Sequence, residues 1–138
     1  MTALVLDVSV AIAWCARSQA THLTDRAEAY VNSNGAMLPA HFQLELSNAL
    51  WRFERTKKLT RQAIDIYLQT LMGYALEYDA EAVEKTFADI LPLARKHGLS
   101  SYDAGYLELA ARLQLPLATR DAALARAANS VGVQLFVP

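Results

Sequence analysis

Four carboxylates in this chain occupy positions from which they could act together on one reaction. They are Asp7, Glu45, Asp103 and Asp121. Clustered carboxylates repel one another, and they take up protons unless a cation neutralises them. All-oxygen ligand sets suit hard cations such as Mg²⁺ or Mn²⁺, which bridge phosphate oxygens and activate water as a nucleophile. If the four acids meet, the chemistry that they predict is metal-assisted hydrolysis of a phosphodiester.

Short apolar runs that alternate with helical patterns must position these acids. Strands are predicted at 3–6, 36–39, 74–78, 115–118 and 133–137. Helices are predicted at 8–16, 24–32, 41–58, 60–72, 81–96, 102–113 and 121–128. A kink is expected near Pro92, and Gly98 ends the helix that contains it. Alternating strands and helices favour a parallel sheet of four to five strands, covered by helices on both faces.

The acids follow the strand ends in this prediction. Asp7 comes directly after the first strand, Asp121 shortly after the fourth, and Asp103 opens a helix. Glu45 lies one to two helical turns past the second strand and shares a helix face with Asn48. Sites in parallel α/β sheets form beyond the carboxyl ends of the strands, where such side chains converge. One cleft containing all four carboxylates is therefore expected.

Three of the acids also have a purely structural interpretation. Asp7 and Asp121 suit the N-cap position of the helices that follow them. Asp103 lies three residues after Ser100 in a capping-box-like pattern, where the helix dipole favours a negative charge. Glu45 is harder to explain structurally, because the stretch 42–46 around it is largely apolar. The shared placement of the four acids therefore supports one site more strongly than any single residue does.

Bulk composition excludes several other classes of protein. The 138 residues are 54% hydrophobic with a formal net charge of −1, so we expect one folded domain spanning 1–138 and no general basic field for nucleic acid. The lone Cys15 excludes an intramolecular disulfide and a cysteine-rich zinc site, which fits a reducing cytoplasm. No signal-peptide pattern and no membrane-spanning apolar stretch is recognised in the sequence.

Four segments resemble the motifs of a known family. They are Asp7-Val8-Ser9, Glu45-Leu46-Ser47-Asn48, Tyr102-Asp103-Ala104-Gly105-Tyr106-Leu107-Glu108-Leu109-Ala110 and Thr119-Arg120-Asp121. In order and spacing they resemble PIN-domain nucleases, and in particular the VapC-type toxins of bacterial and archaeal toxin–antitoxin pairs. The resemblance implies a three-layer α/β/α fold and an endoribonuclease dependent on Mg²⁺ or Mn²⁺. It also implies a cognate VapB-type antitoxin as partner, and we expect a homodimer.

The resemblance also assigns roles to residues. It makes Asp7, Glu45, Asp103 and Asp121 the catalytic acids, and Ser9, Asn48 and Thr119 their supporting polar residues. We expect Asp7, Asp103 and Asp121 to hold the metal, and Glu45 to bind it through water or to orient the attacking water. The family often carries a further acid after the first helix. This chain has Arg17-Ser18-Gln19 there, so no acid acts at that place.

Basic and aromatic residues offer candidate binding surfaces. Arg120 is a candidate phosphate contact, and Arg52 and Arg55 are candidates within the basic stretch 52–61, which is otherwise a solvated helix end. The aromatic residues Trp51, Phe53 and Tyr67 are interpreted as core or, alternatively, as a dimer or antitoxin surface.

Two other functions were compared with the nuclease interpretation. Phosphoryl transfer through an aspartyl phosphate would need a lysine after a late strand, but no lysine occurs beyond Lys96. A catalytically inactive PIN-like domain that binds RNA or acts as a scaffold would have an incomplete acidic set. The acidic set is complete here, which favours the enzyme.

Overall fold

The computed structural model describes residues 2–138, and four short parallel strands form its centre. They are β1 (Leu4–Leu6), β2 (Ala36–Leu38), β3 (Leu76–Tyr78) and β4 (Leu117–Ala118). The strand order is β3-β2-β1-β4, with every neighbouring pair parallel. Because β1 lies between two strands and is buried on both faces, all three of its residues are apolar. All four strands therefore direct their carboxyl ends to the same edge of the sheet.

Helices cover this sheet and complete the predicted three-layer α/β/α fold. They are α1 (Val8–Ala11), α2 (His22–Asn34), α3 (Phe42–Arg55), α4 (Arg61–Met72), α5 (Ala82–Lys85), α6 (Leu91–His97), α7 (Ser101–Leu113) and α8 (Ala122–Ser130). Helix α1 contacts α2 and α3, whereas α7 contacts α6, α8 and β1. None of the helices within residues 2–138 has both the length and the apolar character needed to cross a membrane.

The first predicted helix, 8–16, is shorter than expected. Helix α1 ends at Ala11, and the chain continues as a 3₁₀ turn over Ile12–Trp14. The hydroxyl of Tyr67, a buried residue on α4, donates a 2.7 Å hydrogen bond to the carbonyl of Ala11. The Cys15 N–H, which would reach Ala11 in an α-helix, instead donates to the carbonyl of Ile12. A long-range contact thus redirects the backbone.

The predicted kink near Pro92 is present, but the irregular backbone lies just before the proline. A π-helical turn over Thr86–Ile90 separates α5 from α6, and Pro92 lies in the first turn of α6. Proline lacks an N–H and crowds the preceding turn, which a wider turn accommodates. Gly98 ends α6 as predicted, in the left-handed conformation with φ of 64°.

The prediction of a final strand at 133–137 was wrong in extent. Among the described residues 2–138, this segment forms only an isolated parallel bridge, between Leu117 and Leu135. Leu117 donates its N–H to the carbonyl of Gln134, and its own carbonyl accepts from Phe136. The next residues of the chain that face this segment are Leu115 and Thr119, which lie outside β4, and the N–H of Leu115 donates to the carbonyl of Ala110 instead.

Candidate active site

The register of β1 against β4 places Asp7 beside Thr119. Val5 pairs with Leu117 and Leu6 with Ala118, and the backbone N–H of Asp7 donates a 3.0 Å hydrogen bond to the carbonyl of Ala118. The residue after each strand therefore lies at the same edge of the sheet. Asp7 is 3% exposed there, at the N-cap position of α1, yet its side chain makes no capping hydrogen bond. The N-cap position predicted for Asp7 is therefore confirmed, without a side-chain capping hydrogen bond.

Two hydroxyls hold the Asp7 carboxylate instead. Oδ2 of Asp7 accepts hydrogen bonds from Ser9 Oγ at 2.6 Å and from Thr119 Oγ1 at 2.7 Å. Each hydroxyl in turn accepts a backbone N–H at 3.0 Å, Ser9 from Arg120 and Thr119 from Asp121. Those backbone donors leave each hydroxyl proton free to point at the carboxylate. The predicted supporting residues Ser9 and Thr119 thus orient the Asp7 carboxyl group.

Asp121 is the N-cap residue of α8, and Asp103 lies in the first turn of α7. Oδ2 of Asp121 accepts the N–H of Leu124 at 2.8 Å, so this acid is a helix cap as the structural interpretation holds. At α7 the cap is Ser100, whose Oγ accepts the N–H of Asp103 at 3.0 Å. Both helices direct their positive N-terminal ends toward carboxylates, which stabilises the negative charges. An acid at the start of a helix can therefore stabilise that helix and also belong to the candidate active site.

Glu45 joins the site from α3 through a residue that the sequence analysis did not select. The hydroxyl of Tyr106, a completely buried residue on α7, donates a 2.8 Å hydrogen bond to Glu45 Oε1. This bond joins α3 to α7 across 61 residues of sequence. Tyr106 lies three residues after Asp103, one helical turn along the same helix. That spacing was the only signal in the sequence that pointed to it.

His41 is a second residue that the sequence analysis did not single out. Its Nε2 lies 3.9 Å from Glu45 Oε1 and 3.1 Å from the backbone carbonyl of Tyr102. Its ring packs edge-on against Tyr106, with ring centroids 5.1 Å apart. A Cβ at Gly105 would come within 2.8 Å of the His41 ring, so glycine permits this close packing. Burial lowers the pKa of His41, which favours the neutral imidazole.

The four predicted acids share one electrostatic environment. Burial raises the pKa of Asp103 to about 6, and repulsion from Asp7 and Asp121 adds to this. Burial also raises the pKa of Glu45, helped by the charges of Asp7 and Asp103 and opposed by the Tyr106 hydrogen bond. Burial likewise raises the pKa of Asp7, and the hydrogen bonds from Ser9 and Thr119 oppose that change. Each of these acids thus senses the charge of at least one other.

This donor set fits a hard divalent cation. Among residues 2–138, no three His, Cys, Asp or Glu side chains are grouped closely enough to hold a metal ion as they stand. Burial is the main cause of the raised pKa values and repulsion between the carboxylates adds to it, so a cation at this place would stabilise their charged forms. Hydroxyls that orient one carboxylate, with further acids facing it, suit a cation that prefers oxygen ligands and retains water.

A further acid at the same sheet edge does not belong to this group. Asp79 directly follows β3 and is 7% exposed, but Arg112 on α7 binds its Oδ2 at 2.6 Å. The same guanidinium binds Glu108 at 2.8 Å and Glu81 at 3.2 Å. This ion-pair cluster neutralises Asp79 and attaches the end of β3 to α7. Strand-end placement alone therefore did not separate the candidate site acids from a structural one.

The other predicted site residues lie at or near this group. Asn48 and Arg52 are exposed on α3 and line a cleft beside Glu45, and within residues 2–138 no hydrogen bond joins Asn48 to a carboxylate. Arg55 is exposed one turn further along α3. Arg120 donates from Nε to the carbonyl of Ser9 and from a terminal nitrogen to the carbonyl of Gln19, both at 2.8 Å. Its guanidinium thus joins two backbone segments, and a phosphate contact by Arg120 stays a prediction.

The aromatic residues of α3 and α4 divide between core and surface. Tyr67 is core as expected, and Phe53 is half-buried. Trp51 is 52% exposed and lines an apolar groove of about 460 Å³ between α3 and α4, together with Leu68 and Met72. Helix α3 therefore presents one face to the acids and another to an apolar groove. The surface interpretation thus fits Trp51 but not Tyr67.

Comparisons with known proteins agree with this architecture. The family model described as PIN domain matches residues 4–130. A curated relative, Ribonuclease VapC3 of Pyrobaculum aerophilum, is 27% identical over 122 residues, covering 88% of this chain and 92% of that protein. The crystal structure of PAE2754 from Pyrobaculum aerophilum has a similar fold, with a TM-score of 0.67 at 22% identity. That match covers 91% of this chain and 84% of the other.

Proposed function

This chain belongs to the PIN domain family, and we propose that it is an endoribonuclease that depends on Mg²⁺ or Mn²⁺. The observation that carries the proposal is the convergence of Asp7, Glu45, Asp103 and Asp121 from four separate parts of the chain, each acid buried or half-buried. Burial, with added repulsion from Asp7 and Asp121, raises the pKa of Asp103 to about 6. A carboxyl with so perturbed a pKa is typical of a functional site.

In this proposal the four acids have different roles. Asp7, Asp103 and Asp121 hold the ion, and Ser9 and Thr119 keep the Asp7 carboxylate in position. A bound divalent ion would supply Lewis-acid activation of the phosphodiester and of water. Glu45 orients the attacking water. The Tyr106 hydroxyl binds Oε1 of Glu45, which leaves Oε2 to accept a hydrogen bond from that water.

We further propose that the chain is the toxin of a toxin–antitoxin pair. Support comes from the relative named Ribonuclease VapC3, which matches nearly end to end. The proposed protein partners are a VapB-type antitoxin and a second copy of the chain. The protein acts in the cytoplasm, where its RNA substrate lies. The apolar groove beside Trp51, with Met72 82% exposed, is a surface that a protein partner would cover.

Cleavage of single-stranded RNA by the purified chain tests the enzyme proposal. Mg²⁺ or Mn²⁺ should support cleavage and EDTA should stop it, while Asp7→Asn and Asp103→Asn should lose at least 100-fold in rate. Asp65→Asn on α4 is the matched control, because this acid is exposed and lies outside the site. RNA binding without cleavage under all metal conditions would instead support the inactive RNA-binding alternative.

Calorimetry separates metal binding from catalysis. Wild type and Asp65→Asn should bind Mg²⁺ with equal affinity, and the Asp7→Asn/Asp103→Asn double variant should not bind it measurably. Equal metal binding by the double variant would contradict the assigned ligands, whatever the cleavage assay gives.

A further inference from the structure

A cleft of about 420 Å³ opens directly beside the carboxylates. Its walls include His41, Leu44, Glu45, Asn48, Arg52 and Tyr102. Residues 41, 45, 48 and 52 recur at helical spacing on one face of α3, while Tyr102 belongs to the first turn of α7. The cleft thus lies between the two helices that the Tyr106–Glu45 hydrogen bond joins, and its volume suits a small organic group.

The cleft is continuous with the proposed cleavage site. Glu45 belongs to both, and Val8, the residue after Asp7, also borders the cleft. A polymer whose reactive phosphate lies at the carboxylates, and whose chain passes Glu45, places its adjoining unit in this cleft. This continuity identifies the occupant as a part of the substrate.

The walls of this cleft carry side chains that can bind the base and the phosphate of single-stranded RNA. The Tyr102 side chain is 62% exposed, yet its position is defined, since its carbonyl contacts His41 Nε2 and the two rings meet edge-on with centroids 5.6 Å apart. An exposed and positioned aromatic ring is a stacking surface for a base. Leu44, 79% exposed, adds apolar area. Asn48 offers donors and acceptors for a base edge, and Arg52 offers a cation for a phosphate.

We propose that this cleft is a nucleotide subsite that binds one unpaired RNA nucleotide next to the cleaved bond. Its base stacks on Tyr102 and directs its edge to Asn48, while the phosphate beyond it pairs with Arg52. This subsite rests on the proposed endoribonuclease function and adds to it a preference for single strands. The apolar groove on the other face of α3 is, by contrast, the surface with protein-binding character.

Base stacking can be measured without cleavage. Short single-stranded oligoribonucleotides carrying 2-aminopurine at successive positions are titrated with the metal-free protein in EDTA. Wild type should change the fluorescence at one position, Tyr102→Ala should remove that change and weaken binding roughly 10-fold, and Tyr102→Phe should restore both. Phe87→Ala is the control, because Phe87 is an 84% exposed aromatic on the π-helical turn. Equal fluorescence changes in wild type and Tyr102→Ala would overturn the subsite.

Arg52 provides a second readout. Arg52→Ala should lower the slope of log affinity against log salt by about 0.7, the value for one phosphate contact on a single strand, whereas Arg52→Lys should keep it. In the cleavage assay Tyr102→Ala should raise KM more than it lowers kcat. Unchanged KM with normal cleavage would refute the subsite and leave the nuclease intact. Normal stacking without cleavage would refute the nuclease and leave only a nucleotide-binding cleft, with no cleaved bond beside it.

A protein occupant would give a different result. If the cleft binds a protein partner, Tyr102→Ala would change self-association, measured by light scattering, and leave oligoribonucleotide binding unaltered. That result would overturn the subsite.

Discussion

The guanidinium of Arg120 donates a 2.8 Å hydrogen bond from Nε to the backbone carbonyl of Ser9, 111 residues earlier in the chain. The backbone N–H of Arg120 also donates to Ser9 Oγ, the hydroxyl that binds the Asp7 carboxylate. One residue of the loop after β4 therefore fixes both the backbone and the side chain of Ser9. Through Ser9 it also fixes a proposed metal ligand.

Loss of the Arg120 guanidinium should destabilise the fold. We expect Arg120→Met to lower the free energy of unfolding by about 2 kcal/mol, since two charge-assisted hydrogen bonds are lost. Urea unfolding measures this change, and Arg126→Met, at an exposed site on α8, is the control. If Arg120 is instead a phosphate contact, Arg120→Met will keep its stability and raise KM for RNA in a salt-dependent manner.

The hydroxyl of Thr119 should control metal affinity. Thr119→Val removes the donor to Asp7 Oδ2 and the acceptor for the Asp121 N–H, so two proposed ligands lose their orientation. We expect Mg²⁺ binding, measured by calorimetry, to weaken about 10- to 100-fold, and Thr119→Ser to restore it. Thr70→Val, at an exposed position on α4, is the control for loss of a threonine hydroxyl. Unchanged Mg²⁺ affinity in Thr119→Val would refute the orienting role.

The pH dependence of stability should reveal the free-energy cost of ionising Asp103 in the folded state. Its pKa is about 6 in the folded state and 3.8 in an unstructured chain. Between these pH values the folded state binds more protons, so metal-free stability falls as pH rises and is lowest above pH 6. Asp103→Asn removes the part of this dependence that comes from Asp103, leaving the parts from Asp7 and Glu45. It should be more stable than wild type in EDTA at pH 7.5, by about 1–2 kcal/mol after allowance for solvent screening.

The same comparison tests the structural interpretation of Asp103. If this acid mainly stabilises the N-terminus of α7, Asp103→Asn will be less stable than wild type at pH 7.5. Chemical unfolding at pH 4.5 and 7.5, with and without Mg²⁺, distinguishes the two cases. Only wild type should gain stability on addition of Mg²⁺ at pH 7.5.

The Tyr106 hydroxyl should matter for turnover as well as for stability. Tyr106→Phe and Tyr67→Phe each remove one buried hydrogen bond, so each should cost about 1 kcal/mol of unfolding free energy. Only Tyr106→Phe changes a contact of Glu45, so only this variant should lower kcat, by roughly 10-fold if Glu45 acts on the attacking water. Equal kcat in the two variants would contradict that role for Glu45.

Local features of the sequence predicted much of this fold. Apolar runs marked the four strands, and Thr60, Ser100 and Gly98 marked helix ends where the structure has them. The prediction failed where distant residues intervene. Tyr67 shortened the first helix by binding the carbonyl of Ala11, and the bridge at Leu135 replaced a final strand.

The sequence by itself determined which acids follow strand ends and begin helices, because both properties depend on neighbouring residues. Only the tertiary structure decided that Arg112 neutralises Asp79 whereas Asp7 faces other acids, and that Tyr106 and His41 meet Glu45. Those contacts depend on how α3 and α7 pack across the sheet edge. Packing of that kind is set by the burial of whole helix faces, and residues 61 apart carry no local sign of it.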